Sequence, residues 1–138
     1  MAATQIIKQS FYAAQQTLND FCHSDENQQQ VLKLAQLMAK TLQRGNKIIT
    51  CGNGGSMCDA MHLAQELSGK FYQPRQPLAA VAISDPAHLS CVGNDFGFEQ
   101  VFARYVTAVG VAGDLLVCLS TSGQSSNVIN AVKTANQA

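Results

Sequence analysis

Three short apolar runs, each followed by turn residues and then by a helical pattern, restrict the fold of this chain more than any other feature. They are KIITC at 47–51, LAAVAIS at 78–84 and DLLVCLS at 114–120. Runs of this kind predict buried β-strands, and their alternation with helices is typical of α/β proteins. Helical crossovers make such strands parallel, in a right-handedly wound sheet that is covered on both faces. We therefore predict a parallel sheet of three strands flanked by helices.

The segments that follow these strands are the predicted location of the functional residues. Open parallel sheets bind ligands at the carboxyl ends of their strands. In this chain those ends lead into residues 52–56, 84–98 and 120–127.

The first 45 residues predict two amphipathic helices that precede the sheet. Apolar side chains recur in steps of three and four over 7–21 and again over 31–42. Asp25 followed by Gln28 resembles a capping box, and Gly45 stands where a glycine commonly ends a helix. Two placements remain open: both helices cover the sheet of their own chain, or one of them packs on another subunit.

The chain is predicted to form a single domain. No linker or internal repeat is evident, so residues 1–138 divide only into a helical segment, 1–45, and an α/β part, 46–138.

Composition and charge exclude several classes of protein. Nine Lys and Arg balance nine Asp and Glu, so the chain lacks the charge excess of proteins that bind nucleic acids or anionic membranes. Its apolar stretches are far shorter than the roughly 20 residues of a membrane-spanning helix, and its N-terminus lacks the apolar part of a signal peptide. We expect a cytoplasmic protein without nucleic acid or membrane partners. Five cysteines without CxxC spacing argue against a disulfide framework, and we expect small buried thiols.

The segment STSGQSSN at 120–127 has the composition of an anion-binding loop. Its hydroxyl groups, a glycine for the turn and the N–H groups of a following helix suit a phosphate without any fixed positive charge. An ordinary serine cap of the helix is the alternative, and it needs only one hydroxyl. The Walker pattern GxxxxGK[ST] is absent, so nucleotide hydrolysis is not indicated.

The segment CGNGGSMCDAMHLAQELSG at 51–69 combines a glycine turn with a helix that carries a possible metal-binding pair. The glycines allow close approach of a ligand, and Ser56 is expected to cap the helix. A dinucleotide-binding GxGxxG would need glycine where Met57 stands. His62 and Glu66 lie one turn apart, opposite the apolar side of the helix. They suit zinc, or alternatively form a solvated pair.

Three motifs together resemble the phosphoheptose isomerases of the sugar isomerase (SIS) domain superfamily. They are CGNGGSxCDAMHxAxEL, AISDxxHxSCVGNDFGF and STSGxSxNVIxA, in this order along the chain. The resemblance implies an SIS-type fold and the interconversion of sedoheptulose 7-phosphate and D-glycero-D-manno-heptose 7-phosphate, a step toward the heptose of bacterial lipopolysaccharide core. It also implies a zinc-containing homotetramer with active sites between subunits.

The resemblance also assigns roles to residues of this chain. His62 and Glu66 match two zinc ligands, and Glu66 matches the catalytic acid/base. The residues that the resemblance assigns to substrate contacts are Asn53, Gly54, Gly55, Ser56, Glu66, Asn94, Asp95, Ser120, Thr121, Ser122 and Ser125.

The chain departs from the family pattern at three points. Met57 replaces a common histidine, and Lys70 replaces a common arginine. The chain also stops at Ala138, before the Gln and His that complete the family's zinc site, so we expect it to be incomplete at its C-terminus. A noncatalytic SIS module that binds a sugar phosphate or a protein partner is the alternative function, and an isomerase for another phosphosugar is a third.

Overall fold

The strand that follows the two N-terminal helices lies at the centre of the sheet. The structure, a computed structural model, describes residues 2–137. Strand β1 (Ile48–Gly52) pairs in parallel with both β2 (Ala80–Ala82) and β3 (Leu115–Leu119), which gives the order β2-β1-β3. The predicted parallel α/β sheet is confirmed. Because Gly52 is in register with Leu119, the carboxyl ends of β1 and β3 lie side by side.

Helices occupy the rest of the described chain together with its loops. They are α1 (Ala3–Cys22), α2 (Asp25–Gln43), α3 (Gly55–Ser68), α4 (Pro86–Phe96), α5 (Val101–Val109) and α6 (Ser126–Ala135), with a 3-10 turn at Phe98–Gln100. Within residues 2–137, no helix combines the length and the hydropathy needed to cross a membrane.

The core forms around the two faces of β1. Ile49 and Cys51 point into one apolar cluster, where they meet Phe102 of α5 and Val128 of α6. On the alternate positions of the strand, the Thr50 hydroxyl donates to the carbonyl of Ala60 in α3 at 2.8 Å. The period of two in the strand therefore places α5 and α6 on one face of the sheet and α3 on the other.

β2 is shorter than the predicted run at 78–84, although its hydrogen bonds extend beyond it. The N–H of Ile48 donates to Ala79 O at 2.9 Å, and the N–H of Ile83 donates to Thr50 O at 2.8 Å. At the other end of the run, the N–H of Leu78 donates to Leu67 O of α3 at 3.1 Å. Because Leu78 donates its N–H to a helix, it does not donate to the sheet, and the strand begins after it.

Asp114 ties the amino ends of β1 and β3 together. Its carboxylate, with a side chain only 7% exposed, pairs with the Lys47 ammonium and accepts the Lys47 N–H at 2.9 Å and the Val111 N–H at 2.9 Å. The Asn46 amide adds a longer bond of 3.4 Å. Burial raises the pKa of this carboxyl, but the hydrogen bonds outweigh burial, and the pKa of Asp114 lies below its usual value.

The cysteines differ from the expectation of small buried thiols. Cys51 is buried, and its Sγ lies 3.5 Å from Sγ of Cys118 on the neighbouring strand. The hydrogen bond with Cys118 and burial both raise the pKa of Cys51, because both favour the protonated thiol. Cys22, Cys58 and Cys91 are exposed, so for these three the expectation is wrong.

The N-terminal unit, which extends to Leu37, consists of α1 and most of α2. Every residue of α1 is described, and none is buried. The apolar side that its spacing predicts is exposed in the single chain, with Phe11 73% exposed and Leu18 62% exposed. Its large apolar side chains are Ile6, Ile7, Phe11, Tyr12, Leu18 and Phe21.

The start of α2 differs from the predicted capping box. Asp25 is the first residue of the helix, and the cap is Ser24, whose Oγ accepts the N–H of Asn27 at 3.2 Å. The Gln28 side chain donates instead to Cys22 O at 2.7 Å. The predicted stop at Gly45 agrees with its positive φ of 81°.

Candidate active site

The glycine turn between β1 and α3 depends on glycine at two positions for different reasons. Gly54 has φ 55° and ψ −123°, a conformation that other residues rarely adopt. Gly52 is needed for space, because a Cβ there would lie 2.7 Å from the carbonyl atoms of Ser56 and 2.8 Å from Leu119 O. The start of α3 therefore approaches the ends of β1 and β3 more closely than a side chain would allow.

The amino end of α3 is open. Gly54 occupies the cap position and provides no side-chain hydrogen bond. Ser56 does not cap the helix as expected, since it lies inside the first turn, where its N–H donates to Asn53 O at 3.0 Å. An uncapped helix start of this kind favours a bound anion.

The loop after β3 uses its hydroxyl groups in a way that leaves their protons available. Ser120 Oγ accepts the Gly123 N–H at 3.1 Å, and Ser122 Oγ accepts the Gln124 N–H at 3.2 Å. A hydroxyl that accepts a bond still has its own proton to donate. Ser125 stands at the cap position of α6 without a side-chain cap bond. The loop therefore favours the anion-binding interpretation over an ordinary serine cap.

Two asparagines join the glycine turn to the first turn of α6. Asn53 Nδ2 donates to Asn127 Oδ1 at 2.9 Å, and Asn127 Nδ2 donates to Asn53 Oδ1 at 2.9 Å. Asn127 is only 2% exposed. Asn127 was not among the predicted site residues, although an amide beside the buried Val128 and Ala131 on the apolar side of α6 is a signal of a specific polar contact.

His62 and Glu66 form a pair on the exposed part of α3. His62 Nε2 lies 3.0 Å from Glu66 Oε1, with side chains 70% and 27% exposed. Ala60 and Ala64 are buried on the side of the helix that packs on the sheet, as predicted from the periodicity. The pair is thus outside the core, where it is open to a ligand or a partner.

A cavity of about 400 Å³ adjoins Glu66 at the carboxyl end of α3. Besides Glu66 its walls are Leu63, Leu67, Phe71, Arg75 and Leu78. The Arg75 guanidinium donates to the backbone carbonyls of Glu66 at 2.6 Å and of Leu67 at 2.9 Å, so it holds the last turn of the helix. Arg75 was not among the predicted site residues, because no spacing along the sequence connects a loop arginine with a helix end.

The structure separates Glu66 from the two loops along α3. Eleven residues from Gly55 to Glu66 at a rise of about 1.5 Å each correspond to about 16 Å. Within one chain, Glu66 therefore does not lie beside the glycine turn.

Asn94 and Asp95 lie near the carboxyl end of α4 and are both exposed. Asn94 Nδ2 donates to Asp95 Oδ1 at 2.7 Å, and the Cys91 thiol donates to Asp95 Oδ2 at 3.6 Å. Asp85 caps the start of the same helix by accepting the N–H of His88 at 2.7 Å. Nine residues of helix from Pro86 to Asp95 place this acidic group about 14 Å from the helix start.

The two remaining histidines, His23 and His88, have local structural roles. His88 Nε2 lies 2.9 Å from Val101 O, and its ring meets Tyr105 edge-on. His23 Nδ1 lies 2.6 Å from Asn19 O at the end of α1.

The fit of these residues to zinc is partial. The imidazole of His62 and the carboxylate of Glu66 are groups that zinc accepts. Within residues 2–137, however, no three His, Cys, Asp or Glu side chains come together as a metal site. Zinc requires three or four protein ligands, so the described residues do not form a complete zinc site by themselves.

Comparison with known proteins identifies the family. The SIS domain family model matches residues 11–138. The chain belongs to the SIS domain family. Within this SIS family, the chain is 56% identical over 122 residues to the phosphoheptose isomerase of Glaesserella parasuis, covering 88% of this chain and 64% of that protein. It is 52% identical over 130 residues to the phosphoheptose isomerase of Sodalis glossinidius, covering 94% of this chain and 67% of that protein.

Solved structures agree with this SIS domain assignment. The phosphoheptose isomerase of Francisella tularensis superposes with a TM-score of 0.93 at 33% identity, covering 99% of this chain and 71% of that chain. The phosphoheptose isomerase of Neisseria gonorrhoeae gives a TM-score of 0.74 at 41% identity, covering 94% and 69%. The chain spans about two thirds of the length of the two curated phosphoheptose isomerases named above.

Proposed function

We propose that the protein carrying this chain is an aldose–ketose isomerase that interconverts sedoheptulose 7-phosphate and D-glycero-D-manno-heptose 7-phosphate. The identity to phosphoheptose isomerases supports the reaction. The observation that carries the proposal is the hydroxyl-rich loop 120–125, which follows β3 where Leu119 is in register with Gly52 and leads into α6, whose Asn127 is bonded to Asn53 of the glycine turn. By the resemblance described above, we also propose a role in supplying heptose for lipopolysaccharide, and we propose the cytoplasmic location that was expected from composition and hydropathy.

The phosphate of the substrate is assigned to residues 120–125. Ser120 and Ser122 retain hydroxyl protons for phosphate oxygens, while their lone pairs accept N–H groups that fix the loop. The uncapped starts of α3 and α6 add partial positive charge. Residues 120–127 include no Lys or Arg, so dipoles provide the attraction for the anion.

Glu66 is assigned to proton transfer between C1 and C2 of the sugar. The reaction passes through an enediol, so a carboxylate near both carbons is needed to remove and return the proton. His62 orients this carboxylate through their contact of 3.0 Å, and Arg75 holds the backbone that carries it. Asn94 and Asp95 are proposed to contact the sugar hydroxyl groups.

A second copy of the chain is proposed to complete the site, as in the homotetramer implied by the resemblance. Two observations support this. Glu66 lies about 16 Å along α3 from the glycine turn, so another copy has to bring a carboxylate to the phosphate loop. The apolar side of α1, with Phe11 73% exposed, is also a surface that a copy of the chain would cover. Sedimentation of the protein as a monomer at assay concentration would contradict this proposal.

Zinc is proposed as the cofactor on the resemblance alone. His62 and Glu66 would be two of its ligands, and the others would come from residues outside the described chain. A bound zinc ion stabilises negative charge on a substrate oxygen. Because the described ligand set is incomplete, no step of the proton transfer by Glu66 is assigned to the zinc ion.

The test of the proposed function is Glu66→Gln in the protein as its gene encodes it. We expect conversion of sedoheptulose 7-phosphate to lose a factor of about a hundred or more in kcat with KM retained. Glu99→Gln, the same change at an exposed glutamate of the 3-10 turn, is the matched control and should keep full turnover. Near-normal turnover of Glu66→Gln would transfer the role to another residue, with Asp95 the first to examine.

A noncatalytic SIS module that binds a sugar phosphate remains the second candidate. The incomplete metal site and the distance of Glu66 from the loops favour it for the isolated chain. Binding of sedoheptulose 7-phosphate by the complete protein without any conversion would support this function and refute the isomerase.

A further inference from the structure

The amide pair between Asn53 and Asn127 has a defined orientation. Asn127 Oδ1 accepts the backbone N–H of Val128 at 2.9 Å, and only an oxygen can accept there. This contact identifies which atom of the Asn127 amide is oxygen and which is nitrogen. The two bonds of 2.9 Å to Asn53 then fix the orientation of the Asn53 amide as well.

This orientation determines what Asn53 can offer to a ligand. Its Oδ1 is occupied by the donor of Asn127, and one of its two Nδ2 protons is donated back to Asn127. The second Nδ2 proton and one lone pair of Oδ1 are left outside the pair, and of these only the proton can bond an oxygen that carries no hydrogen. Asn53 is therefore set as a hydrogen-bond donor, which suits a phosphate, carbonyl or enediolate oxygen.

Burial makes the pair a rigid connection. Asn127 is 2% exposed, so water does not compete for its amide, and an unpaired amide at this position would be costly. The pair joins the turn after β1 to the start of α6, which directly follows the loop that we assign to phosphate. A change at Asn127 therefore alters Asn53 through the buried pair, whereas the Asn127 side chain itself is almost closed to the surface.

We propose that Asn127 is a positioning residue, which acts by fixing the side-chain amide of Asn53 as a donor toward an oxygen of the bound sugar phosphate. This inference rests on the proposed function for the identity of the ligand. It does not rest on turnover, because binding alone reports the position of Asn53.

Asn127→Asp tests the inference with a nearly isosteric side chain. The introduced carboxylate still accepts the Val128 N–H and one Asn53 proton, but it has no donor for Asn53 Oδ1, so two oxygens face each other. Once protonated, the same carboxyl has an O–H that restores the missing bond. The defect should therefore disappear in acid, which a general loss of packing would not do.

The measurement is calorimetric binding of sedoheptulose 7-phosphate to the protein as its gene encodes it. At about pH 7.5 we expect Asn127→Asp to bind about tenfold more weakly than the parent, the effect of one lost hydrogen bond. At about pH 5 the ratio of the two affinities should return toward one, because burial and the facing oxygen of Asn53 both favour the protonated carboxyl over the carboxylate, whose usual pKa is about 3.9. The substrate phosphate titrates in the same way in both measurements, so its effect on affinity cancels in the ratio.

Two further variants control the experiment. Asn130→Asp makes the same change on the same helix and also removes a donor, since Asn130 Nδ2 donates to Glu99 O at 3.1 Å. It should bind like the parent at both pH values. Asn127→Ala removes both bonds without adding charge, so its loss of affinity should be independent of pH. It also serves as the test if Asn127→Asp does not fold.

The outcomes separate this inference from the proposed function. Parent-like affinity of Asn127→Asp or Asn127→Ala at about pH 7.5 would overturn the positioning role, as would an acid-independent loss in Asn127→Asp. An equal loss in Asn130→Asp would also overturn it. A parent protein that binds the sugar phosphate without converting it would refute the isomerase function and leave the test of Asn127 intact.

Discussion

Gly52→Ala should destabilise the fold because the added methyl group has no space. An ideal Cβ at this position lies 2.7 Å from the carbonyl carbon and oxygen of Ser56 and 2.8 Å from Leu119 O. All three are backbone atoms, so no side chain can rotate away, and α3 or β3 has to move instead. Overpacking of this kind costs about 1 to 3 kcal/mol, and contacts with backbone on two sides favour about 3 kcal/mol here.

The assay is urea-induced unfolding of the parent and the variant, with the free energy of unfolding compared at one fixed protein concentration. Gly55→Ala is the matched control, because no atom lies within 4 Å of its Cβ position and the residue begins α3. Alanine favours a helix over glycine by about 1 kcal/mol, so this control should be as stable as the parent or slightly more stable. If the free energy of unfolding of Gly52→Ala lay within about 0.5 kcal/mol of the parent value, the close approach of α3 to the sheet would not be a determinant of stability.

Three further predictions concern the charge, the phosphate loop and the metal. Asp114→Asn should lower the free energy of unfolding near pH 7 by about 2 kcal/mol. The pKa of Asp114 in the folded state lies below the unfolded value of about 3.9, so the difference in free energy of unfolding between parent and variant should vanish as pH falls through the folded pKa. A difference that persists in strong acid would contradict the stabilising role of the Asp114 carboxylate. Ser122→Ala combined with Ser125→Ala should raise KM strongly, because each lost charge-assisted hydrogen bond costs about 1.5 to 3 kcal/mol of binding free energy. An unchanged KM would show that this loop does not bind the phosphate. The 138-residue chain alone should neither convert the heptose phosphate nor retain stoichiometric zinc, since His62 and Glu66 are two ligands where three or four are needed. Metal analysis and turnover measurements on this chain test the prediction, and stoichiometric zinc together with heptose phosphate conversion would refute the incomplete site.

The features of the fold that sequence could predict are those with a local or periodic signal. The three strands were found from runs of apolar residues, and the buried side of α3 from the spacing of Ala60 and Ala64. Helix starts were less certain, because several polar residues compete for one position. Ser24 caps α2 next to the expected Asp25, and Ser56 falls inside α3 because Gly54, without a side chain, occupies the cap position.

The features that sequence could not predict depend on contacts between distant residues. Asn53 and Asn127 are 74 positions apart, and their pairing requires the register that sets the ends of β1 and β3 side by side. Arg75 reaches Glu66 O only because the loop after α3 folds back on the helix end. Neither contact has a spacing or a composition that marks it along the chain. The roles carried over by the resemblance, including those of Glu66 and Asp95, remain predictions.

The two parts of the proposed site differ in how completely one chain builds them. At the phosphate end, Gly52 allows the close approach of α3, and the buried amide of Asn127 fixes the turn from the other side. Rigid supports on both sides hold N–H and O–H donors in place before a ligand arrives, which lowers the ordering cost of binding. At the other end, Glu66 lies three helical turns away on a half-exposed surface, and under the proposed function its position relative to a bound sugar would depend on another copy of the chain. Binding of phosphate should therefore tolerate loss of assembly, whereas proton transfer should not, because only the second function needs a group that a single chain holds apart from the loop.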